Sequence, residues 1–282
     1  MSLSHDLLAV AGHIEACLPL PAVTGLYLPP RHQDGVFRDE FGFVFLEGGA
    51  VGPFYVSLDD TLSLLWQQYP HPARMQLPLS RLLDGFRGSA PCARALALGA
   101  YNALSRHVMQ RAGYQPQARQ SRTNTDQATG GPVGMVGYFC PLVERLVAQG
   151  TEVVVLEYLP ARINPHPRVS HTPTPAGLAA CTQIICTAST LINDTLDDII
   201  RACPQAQSFN LIGPSSSGLP DAVFAHGVDR VGSSTFRDAA ALTARLDRGE
   251  PWGSSSEKYE ISRPDYPGLA ALLQAALRPD RN

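Results

Sequence analysis

The feature that most constrains the fold is an alternation of short apolar runs and amphipathic segments that begins near residue 132. The apolar runs are rich in β-branched residues, and in chain order they are PVGMVGYF, TEVVVLE, QIICT, FNLIG and DRVG. Helical spacing of apolar residues predicts helices between them, at 141–150, 194–203 and 238–248. Strands that are apolar almost throughout and that alternate with helices are typical of a parallel sheet covered on both faces. The sequence therefore predicts a Rossmann-like α/β domain.

The residues before this alternation have a different pattern, which predicts a smaller α+β domain. An apolar segment near the start has helical spacing, with Ser4 as its predicted N-cap. Two β-rich runs, FGFVFLE and AVGPFYVSL, are joined at Gly48-Gly49 and predict a hairpin. The remaining predicted elements are a strand at 22–28 and helices from Asp59 or Asp60 to Trp66, over 79–87, and over 89–113 with Ser89 as N-cap.

A polar segment separates the two patterns. Residues 115–131, QPQARQSRTNTDQATGG, contain almost no apolar side chain, as is usual for a boundary between domains. We therefore expect an α+β domain over 1–118, a linker over 119–131 and the Rossmann-like domain over 132–282. Two domains are also the default for a chain of 282 residues.

Charge and hydropathy argue against several classes of partner. The formal net charge of −3 provides no basic field for nucleic acid. No apolar run approaches the roughly 20 residues that cross a bilayer, and the polar residues within the first apolar segment favour an amphipathic helix over a signal peptide. The six cysteines are scattered without a CxxC pair, as in a reduced protein. We therefore expect a cytoplasmic protein that binds a small molecule; a homo-oligomer is compatible with this pattern.

The first candidate binding segment follows the first strand of the alternation. Right-handed crossovers would place the C-terminal ends of all parallel strands at one edge, where open α/β sheets bind ligands. Gly134 and Gly137 would let the backbone approach a ligand closely, and the next helix would offer N–H groups to an anion. Glu157 closes the next strand, where an acidic residue can accept hydrogen bonds from ribose hydroxyls. The full G-x-G-x-x-G fingerprint is absent, and a tight turn without a nucleotide is the alternative.

Two further polar segments follow predicted strands. The segment from Thr187 to Thr195 includes Thr190 and Asn193, and its groups suit a carboxylate, a phosphate or a ribose. Helix capping by Asn193 or Thr195 is the alternative. The segment GPSSSG at 213–218 is either a substrate-facing loop or a flexible turn. A serine hydrolase is not predicted, because no base accompanies these serines and the G-x-S-x-G motif is missing.

The candidate metal ligands are His166 and His171, in NPHPRVSH, a segment that we expect to be a proline-rich loop after the second predicted strand. Their spacing does not match a zinc site, and two solvated histidines are the alternative. Cys186 lies in an apolar strand, where a buried free cysteine is the simpler interpretation.

Several of these segments together resemble the two-domain bacterial and archaeal family described as putative heavy-metal chelation, a domain-of-unknown-function group. The matching stretches are LALGAYNAL (96–104), VGMVGYFCPLVERL (133–146), VVVLEYLP (153–160), ICTASTLINDTLDDII (185–200), LIGPSSSGLPDAVFAHGVDRVGSS (211–234) and the closing LDRGEPW. The resemblance implies an enolase N-terminal-like α+β domain, then a Rossmann-like domain, with a cleft between them. The family positions that it carries over to this chain are Asn102, Gly137, Phe139, Pro141, Glu157, Thr190, Asn193, Thr195, Gly213, Pro214 and Ser215.

The residues and the resemblance together favour a protein that binds a small anionic or metal-chelating metabolite in the interdomain cleft. Such a protein would be an enzyme of chelator, pterin-like or metal-cofactor metabolism, and a divalent metal or a nucleotide-like cofactor is compatible with its polar groups. Two alternatives stay open. One is a non-catalytic protein that binds a metal or a metal chelate. The other is a methyltransferase-like protein that uses S-adenosylmethionine, although the glycine loop lacks the acidic-Gly-x-Gly pattern of that class.

Overall fold

The structure, a computed structural model, describes residues 2–32, 34, 36–118 and 130–278. The helices in this part of the chain are α1 Leu3–Cys17, α2 Thr61–Gln68, α3 Leu79–Leu83, α4 Pro91–Arg111, α5 Cys140–Ala148, α6 Leu196–Ala202, α7 Asp221–Ala225, α8 Ala239–Asp247 and α9 Leu269–Ala276. The strands are β1 Val23–Tyr27, β2 Phe41–Leu46, β3 Val51–Tyr55, β4 Gln117–Ala118, β5 Val133–Val136, β6 Val153–Leu156, β7 Val169–Thr172, β8 Gln183–Thr187, β9 Ser208–Ile212, β10 Arg230–Thr235 and β11 Glu257–Ser262. Among these helices, none combines the length and the apolar character that a membrane crossing requires.

The larger sheet has eight strands in the order β4-β11-β10-β9-β8-β5-β6-β7. The six strands from β10 to β7 in this order are parallel to one another, whereas β11 and β4 are antiparallel to their neighbours. All four residues of β5 are buried, as are the first four of β8, because helices and loops cover both faces of the sheet. The predicted α/β fold with a mostly parallel sheet is confirmed.

The strand order reverses beside β5. From β5 the chain crosses to β6 and β7 on one side, and it then returns to pair β8 with the other side of β5. Connections that leave a strand in opposite directions open a crevice at its carboxyl end, which is where doubly wound sheets bind ligands. The fold therefore places this crevice directly after Val136.

Three strands of the larger sheet were not predicted. Strand β7 falls in the segment expected to be a loop, so His171 lies on a strand and that expectation is wrong. The strand has the sequence VSHT at the sheet edge, and it lacks the apolar run that marks a buried strand. Strand β11 buries only alternate residues, Tyr259 and Ile261, and β4 is two residues long.

The smaller sheet is antiparallel, with the order β1-β2-β3. The predicted hairpin is confirmed: Gly48 and Gly49 connect β2 to β3 and have φ angles of 81° and 79°. Such angles strain residues with a Cβ atom, so the glycine pair fixes the turn. Helix α4 packs against β3, where Gly52 faces Gly99 so closely that a Cβ atom on Gly52 would collide with the Gly99 carbonyl oxygen.

Two predicted helix starts were wrong. Helix α1 is capped by Ser2, whose hydroxyl accepts a hydrogen bond from the His5 amide, and Ser4 lies inside the helix. Helix α4 has Ala90 at its N-cap position, without a side-chain cap, and begins with Pro91. The fixed φ angle of proline suits the first helical position, which makes a capping Ser89 unnecessary.

The predicted helix over 79–87 ends at Leu83 and continues as a 3₁₀ turn through Arg87.

One hydrophobic cluster joins the two sheets and contains residues from Leu3 in α1 to Ala276 in α9. Strand β4, just after the first set of helices, adds to the larger sheet by pairing with β11. Residues 119–129 of the predicted linker lie outside the described residues. The packing of one region on the other positions the hairpin β2–β3 over the carboxyl edge of the parallel strands.

Candidate functional site

A cleft of about 790 Å³ lies between the carboxyl edge of the parallel strands and the hairpin β2–β3. The segments after β5, β6, β8 and β9, with the end of β10, form its floor. The wall opposite this floor carries aromatic residues from the hairpin region together with Trp252. Nine of the predicted site residues line this cleft, and they are Gly137, Phe139, Glu157, Thr190, Asn193, Thr195, Gly213, Pro214 and Ser215.

The turn after β5 brings backbone to the crevice at the strand reversal. Gly137 has a φ angle of 78°, and its N–H donates to the Leu156 carbonyl oxygen at 2.9 Å. A Cβ atom on Gly137 would lie 3.2 Å from Thr187 Cγ2 on the neighbouring strand segment. The turn leads into α5, whose N-cap Phe139 makes no side-chain capping hydrogen bond. The positive φ angle therefore favours glycine, and a Cβ atom would also be in tight contact with Thr187.

Gly134 occupies a different position from Gly137, although both belong to one short motif. It lies inside β5 and pairs with Ile184 of β8. A Cβ atom there would lie 2.6 Å from Ile184 Cδ1, so the residue serves strand packing and does not line the cleft.

Glu157 lies at the end of β6 and is only 8% exposed. Its Oε1 accepts a hydrogen bond from the Leu159 N–H at 3.0 Å, and its Oε2 lies 3.6 Å from Nη1 of Arg162. Two partners hold the carboxylate at the cleft wall, and its remaining lone pairs can accept hydrogen bonds from a ligand.

Arg162 was not predicted and connects the two walls of the cleft. Its Nη2 lies 3.4 Å from Oδ2 of Asp39, and its guanidinium lies over the Phe37 ring at 4.1 Å. Asp39 also accepts a hydrogen bond from the Tyr55 hydroxyl at 2.8 Å. Burial and the Asp39 charge raise the pKa of Tyr55, which keeps this hydroxyl protonated as a donor.

The segment after β8 combines internal hydrogen bonds with groups that face the cleft. The Thr190 hydroxyl donates to the Thr187 carbonyl oxygen at 2.7 Å and is buried. The Thr195 hydroxyl donates to Asn193 Oδ1 at 2.7 Å and makes no capping hydrogen bond to α6, although Thr195 holds the N-cap position. Within the described residues, the Asn193 amide nitrogen has no hydrogen-bond acceptor, so it can donate to a ligand.

Burial raises the pKa of Cys186 to about 12, as suits a core thiol.

Asp194 anchors this segment to helices α1 and α4 of the N-terminal region. It is a non-glycine residue with a φ angle of 61°, and its Oδ2 lies 2.9 Å from Nη2 of Arg94 in α4. Its Oδ1 accepts a hydrogen bond from the Ser4 hydroxyl in α1 at 3.2 Å. These contacts hold a strained backbone between Asn193 and Thr195, and so they position both cleft residues.

The turn after β9 joins the floor of the cleft to its wall. Gly213 has a φ angle of 125°, and Ser215 is 1% exposed. The Ser215 hydroxyl accepts a hydrogen bond from the Tyr55 N–H at 2.9 Å. Asn102, in α4, donates from Nδ2 to the Pro53 carbonyl oxygen at 2.8 Å and to the Ser215 carbonyl oxygen at 2.9 Å. Asn102 therefore does not line the cleft but ties the hairpin to this turn.

The aromatic wall is fixed by ring contacts. Trp252 packs edge-to-face against Phe41 at 5.4 Å and against Phe236 at 5.9 Å between ring centroids. Phe41 contacts Tyr55 in the same manner at 5.4 Å. The aromatic character of FGFVFLE and AVGPFYVSL was the sequence signal for this wall, but its connection to Trp252 spans some 200 residues of chain.

The two candidate metal ligands are exposed and lie apart from the cleft lining. His166 Nδ1 accepts a hydrogen bond from the Arg168 N–H at 3.1 Å. His171 Nε2 donates a hydrogen bond to the Glu157 carbonyl oxygen at 2.9 Å, so one of its two ring nitrogens is already in use. Across residues 2–32, 34, 36–118 and 130–278, no group of three or more His, Cys, Asp or Glu could hold a metal ion. The donor set in the described chain does not fit a metal bound by protein side chains alone.

Comparison with known proteins identifies relatives of this fold. The family model DUF364, described as putative heavy-metal chelation, matches residues 121–263. A DUF364 protein of unknown function from Desulfitobacterium hafniense DCB-2 has a crystal structure that is 17% identical, with a TM-score of 0.66, over 93% of this chain and 98% of that one. A second such structure, from Pyrococcus horikoshii, is 17% identical with a TM-score of 0.63, over 92% of this chain and 98% of that one. No curated protein matches the sequence.

Proposed function

The chain belongs to the DUF364 family, described as putative heavy-metal chelation, and we propose that it binds a small anionic, metal-chelating metabolite in the cleft. The observation that carries this proposal is the convergence of four strand-end segments on one hollow at the strand reversal. Segments that lie far apart in the sequence thereby present glycine backbone, a carboxylate, an amide and hydroxyl groups to the same space. Ligand sites in open α/β sheets have this location and this mixture of groups.

The size and lining of the cleft suit a metabolite rather than a bare ion. Its volume of about 790 Å³ falls within the range of small-molecule sites. Aromatic rings from the hairpin form one wall, and they can cover an apolar or planar part of the ligand. Polar groups line both sides, with Asp39, Ser57 and Asp59 on the hairpin side, which favours a ligand that combines an apolar part with several polar atoms.

Each polar group has a role that follows from its contacts. Glu157 is held by Leu159 and Arg162, so it can accept hydrogen bonds from ligand hydroxyls without moving. Asn193 can donate from its amide nitrogen. The Gly137 turn lets the ligand approach the backbone at the N-terminus of α5.

We infer that any metal reaches the cleft as a complex with the metabolite. The described residues provide no donor cluster that could hold an ion alone. A chelating ligand brings its own donor atoms, and the protein then recognises the organic part and its charge. A metal that arrives already chelated agrees both with the family description and with the lack of a metal-ligand cluster among the described residues.

A second candidate function is a non-catalytic carrier or sensor of such a chelate. The cleft hydroxyls of Thr187 and Ser189 bond to each other at 3.1 Å, and Thr190 bonds to backbone. Nucleophilic catalysis requires a hydroxyl or thiol beside a base, and these hydroxyls have no such partner. Incubation with a stabilising ligand, followed by mass spectrometry, separates the two functions: a changed ligand indicates an enzyme, and an unchanged one indicates a carrier.

Thermal-shift screening against nucleotides, S-adenosylmethionine, pterins and chelators, each with and without a divalent metal, tests the proposal. A ligand at a hundredfold excess over its Kd should stabilise the protein by about 2.7 kcal/mol. The Glu157→Gln variant should lose most of this gain, because the amide is a weaker acceptor for hydroxyls than the carboxylate. The Glu152→Gln variant removes the same charge at an exposed position outside the cleft, and it should respond as the wild type does.

Two outcomes would overturn the proposal. One is a screen in which no compound stabilises the protein, or in which every stabilising compound acts equally on Glu157→Gln. The other is stoichiometric binding of zinc or nickel without any chelator, measured by elemental analysis after dialysis, that is lost in His166→Ala or His171→Ala. That result would place a direct metal site at the histidines.

A further inference from the structure

The chain has a single lysine, and that lysine lines the cleft. Of the 22 basic residues, 21 are arginines and one is Lys258. Lys258 lies on β11, which the sequence pattern did not predict, and its side chain is exposed at the cleft wall. Neither the family motifs nor the strand-end segments include it.

The charge of Lys258 is uncompensated within the described residues, in contrast to the basic residues around it. Arg237 pairs with Glu257 at 2.7 Å, and Arg230 pairs with Glu260 at 2.7 Å. The two carboxylates of β11 on either side of Lys258 are thus already paired with arginines. Lys258, which lines the cleft, has no such ion pair within the described residues.

Ser234 provides a second, independent observation at the same place. It is paired with Lys258 across β10 and β11, so the two side chains lie on the same face of the sheet. Ser234 also lines the cleft, is only 6% exposed, and its hydroxyl makes no hydrogen bond within the described residues. Because this nearly buried residue lines the cleft, the cleft is the place from which a partner for its hydroxyl can come.

This end of the cleft is distant from Glu157. Five strand spacings separate β11 from β6 in the sheet order, which corresponds to about 24 Å at the usual spacing of roughly 4.8 Å. A ligand that reaches both ends is therefore elongated, with different chemistry at its two ends. Trp252 also lines the cleft, and its ring packs against Phe236, which directly follows β10.

We propose that Lys258 and Ser234 bind the anionic group of the ligand, a carboxylate or a phosphate, at the β10–β11 end of the cleft. A lysine ammonium is a compact charge with three donors, and together with a buried hydroxyl donor it matches the oxygen atoms of such a group. The inference rests on the proposed function, because it assigns one part of the same ligand. It defines the ligand as an elongated molecule with a hydroxyl-bearing end at Glu157 and an anionic end at Lys258.

The single lysine allows a direct test. Reductive methylation with carbon-13 formaldehyde modifies amines only, and so it labels Lys258 and the chain's α-amine while preserving their positive charge. Inorganic phosphate and acetate are then titrated against the label at constant ionic strength, and carbon-13 NMR follows the dimethyl-lysine signal. The signal should shift and saturate with at least one of the two anions, and chloride should not reproduce the shift. The anion that binds more tightly identifies the group as phosphate or carboxylate.

Variants distinguish specific binding at Lys258 and Ser234 from nonspecific attraction of anions to a positive charge. Ser234→Ala should weaken anion binding about fivefold, since one hydrogen bond is lost, while the exposed Ser254→Ala should not change it. Arg81→Gln, which removes an exposed cation outside the cleft, should also leave the affinity unchanged. In unlabelled protein, Lys258→Gln should weaken phosphate or acetate binding at least about tenfold by calorimetry, whereas Lys258→Arg should retain part of it.

The inference is overturned if the lysine signal responds to neither anion, or if Arg81→Gln weakens binding as much as Ser234→Ala. In that event a metabolite whose effect depends on Glu157 would still support the proposed function. Conversely, anion binding at Lys258 without any stabilising metabolite would retain the anion site and remove the proposed function.

Discussion

Two of the contacts that attach the N-terminal region to the parallel sheet differ in chemistry. In the first, Asn102 and Tyr55 of the hairpin bind the Ser215 turn through neutral hydrogen bonds that are buried or partly buried, and Asn102 also binds the hairpin at Pro53. In the second, His226 lies between Asp6 of α1 and Asp197 of α6, at 2.7 Å and 2.6 Å. The first contact lies beside the cleft and the second lies away from the cleft lining. We refer to them as the neutral contact and the ionic contact.

The comparison shows that one interface can contain a contact whose strength hardly depends on pH or salt and another whose strength changes with pH. Buried neutral hydrogen bonds are almost indifferent to pH and salt, so the cleft wall keeps its position over a range of conditions. The ionic contact depends on a titrating histidine, so its strength changes within the physiological range. Three substitutions can sharpen or break this distinction.

The largest effect is expected from Gly52→Ala in β3. The added methyl group would collide with the backbone of α4 at Gly99 and Ala103, and backbone cannot shift as a side chain can. We expect a loss of about 3 kcal/mol in the free energy of unfolding, measured by urea denaturation. The control Gly12→Ala lies in α1 with open space around it and should stabilise the protein by up to about 1 kcal/mol. Equal stability of the two variants would show that the hairpin is not packed as described.

An intermediate effect is expected from Asn102→Ala. The substitution leaves the carbonyl oxygens of Pro53 and Ser215 without their donor in a buried place, which should cost about 2 kcal/mol. The cost should be the same at pH 6 and pH 8 and at low and high salt. A cost that varies with pH would contradict the neutral character of this contact.

The smallest effect, and the one that depends on pH, is expected from His226→Gln. Burial lowers the pKa of His226, but hydrogen bonds to Asp6 and Asp197 more than offset this and leave the pKa above its ordinary value. A raised pKa in the folded state stabilises the protein below the unfolded pKa of about 6.5, and this contribution is lost as pH rises through the folded pKa. The variant should therefore cost about 1 kcal/mol in mildly acidic solution and less in alkaline solution. A constant cost across this range would contradict the ionic contact.

Much of the fold was predictable because each core strand can be recognised from its own short stretch of sequence. Strands β5, β6, β8 and β9 are buried on both faces, so each one appears as an apolar run without reference to its neighbours. The hairpin was predictable from Gly48-Gly49 because the backbone of that turn requires positive φ angles. By contrast, β7 and β11 lie towards the edges of the sheet, where partial exposure weakens the pattern.

The floor of the candidate site was also accessible from sequence, since it follows strand ends. The roles of individual residues were not. Gly134 and Gly137 share a motif, but only the second lies beyond the strand and faces the cleft. Arg162 and Lys258 reach the cleft from separate segments, and no local pattern brings them together. Asn102 has acceptors 49 and 113 residues away, so its function as a tie depends entirely on tertiary packing.

The bond between the Tyr55 amide and the Ser215 hydroxyl has a consequence for how the chain is made. The two residues are 160 positions apart, which corresponds to roughly 10 to 30 seconds of ribosomal synthesis. Throughout that interval the aromatic hairpin has emerged without the turn that it will cover. An unsheltered strand with aromatic neighbours is prone to pair with other chains, so the nascent protein is exposed to aggregation at this hairpin until residue 215 leaves the ribosome.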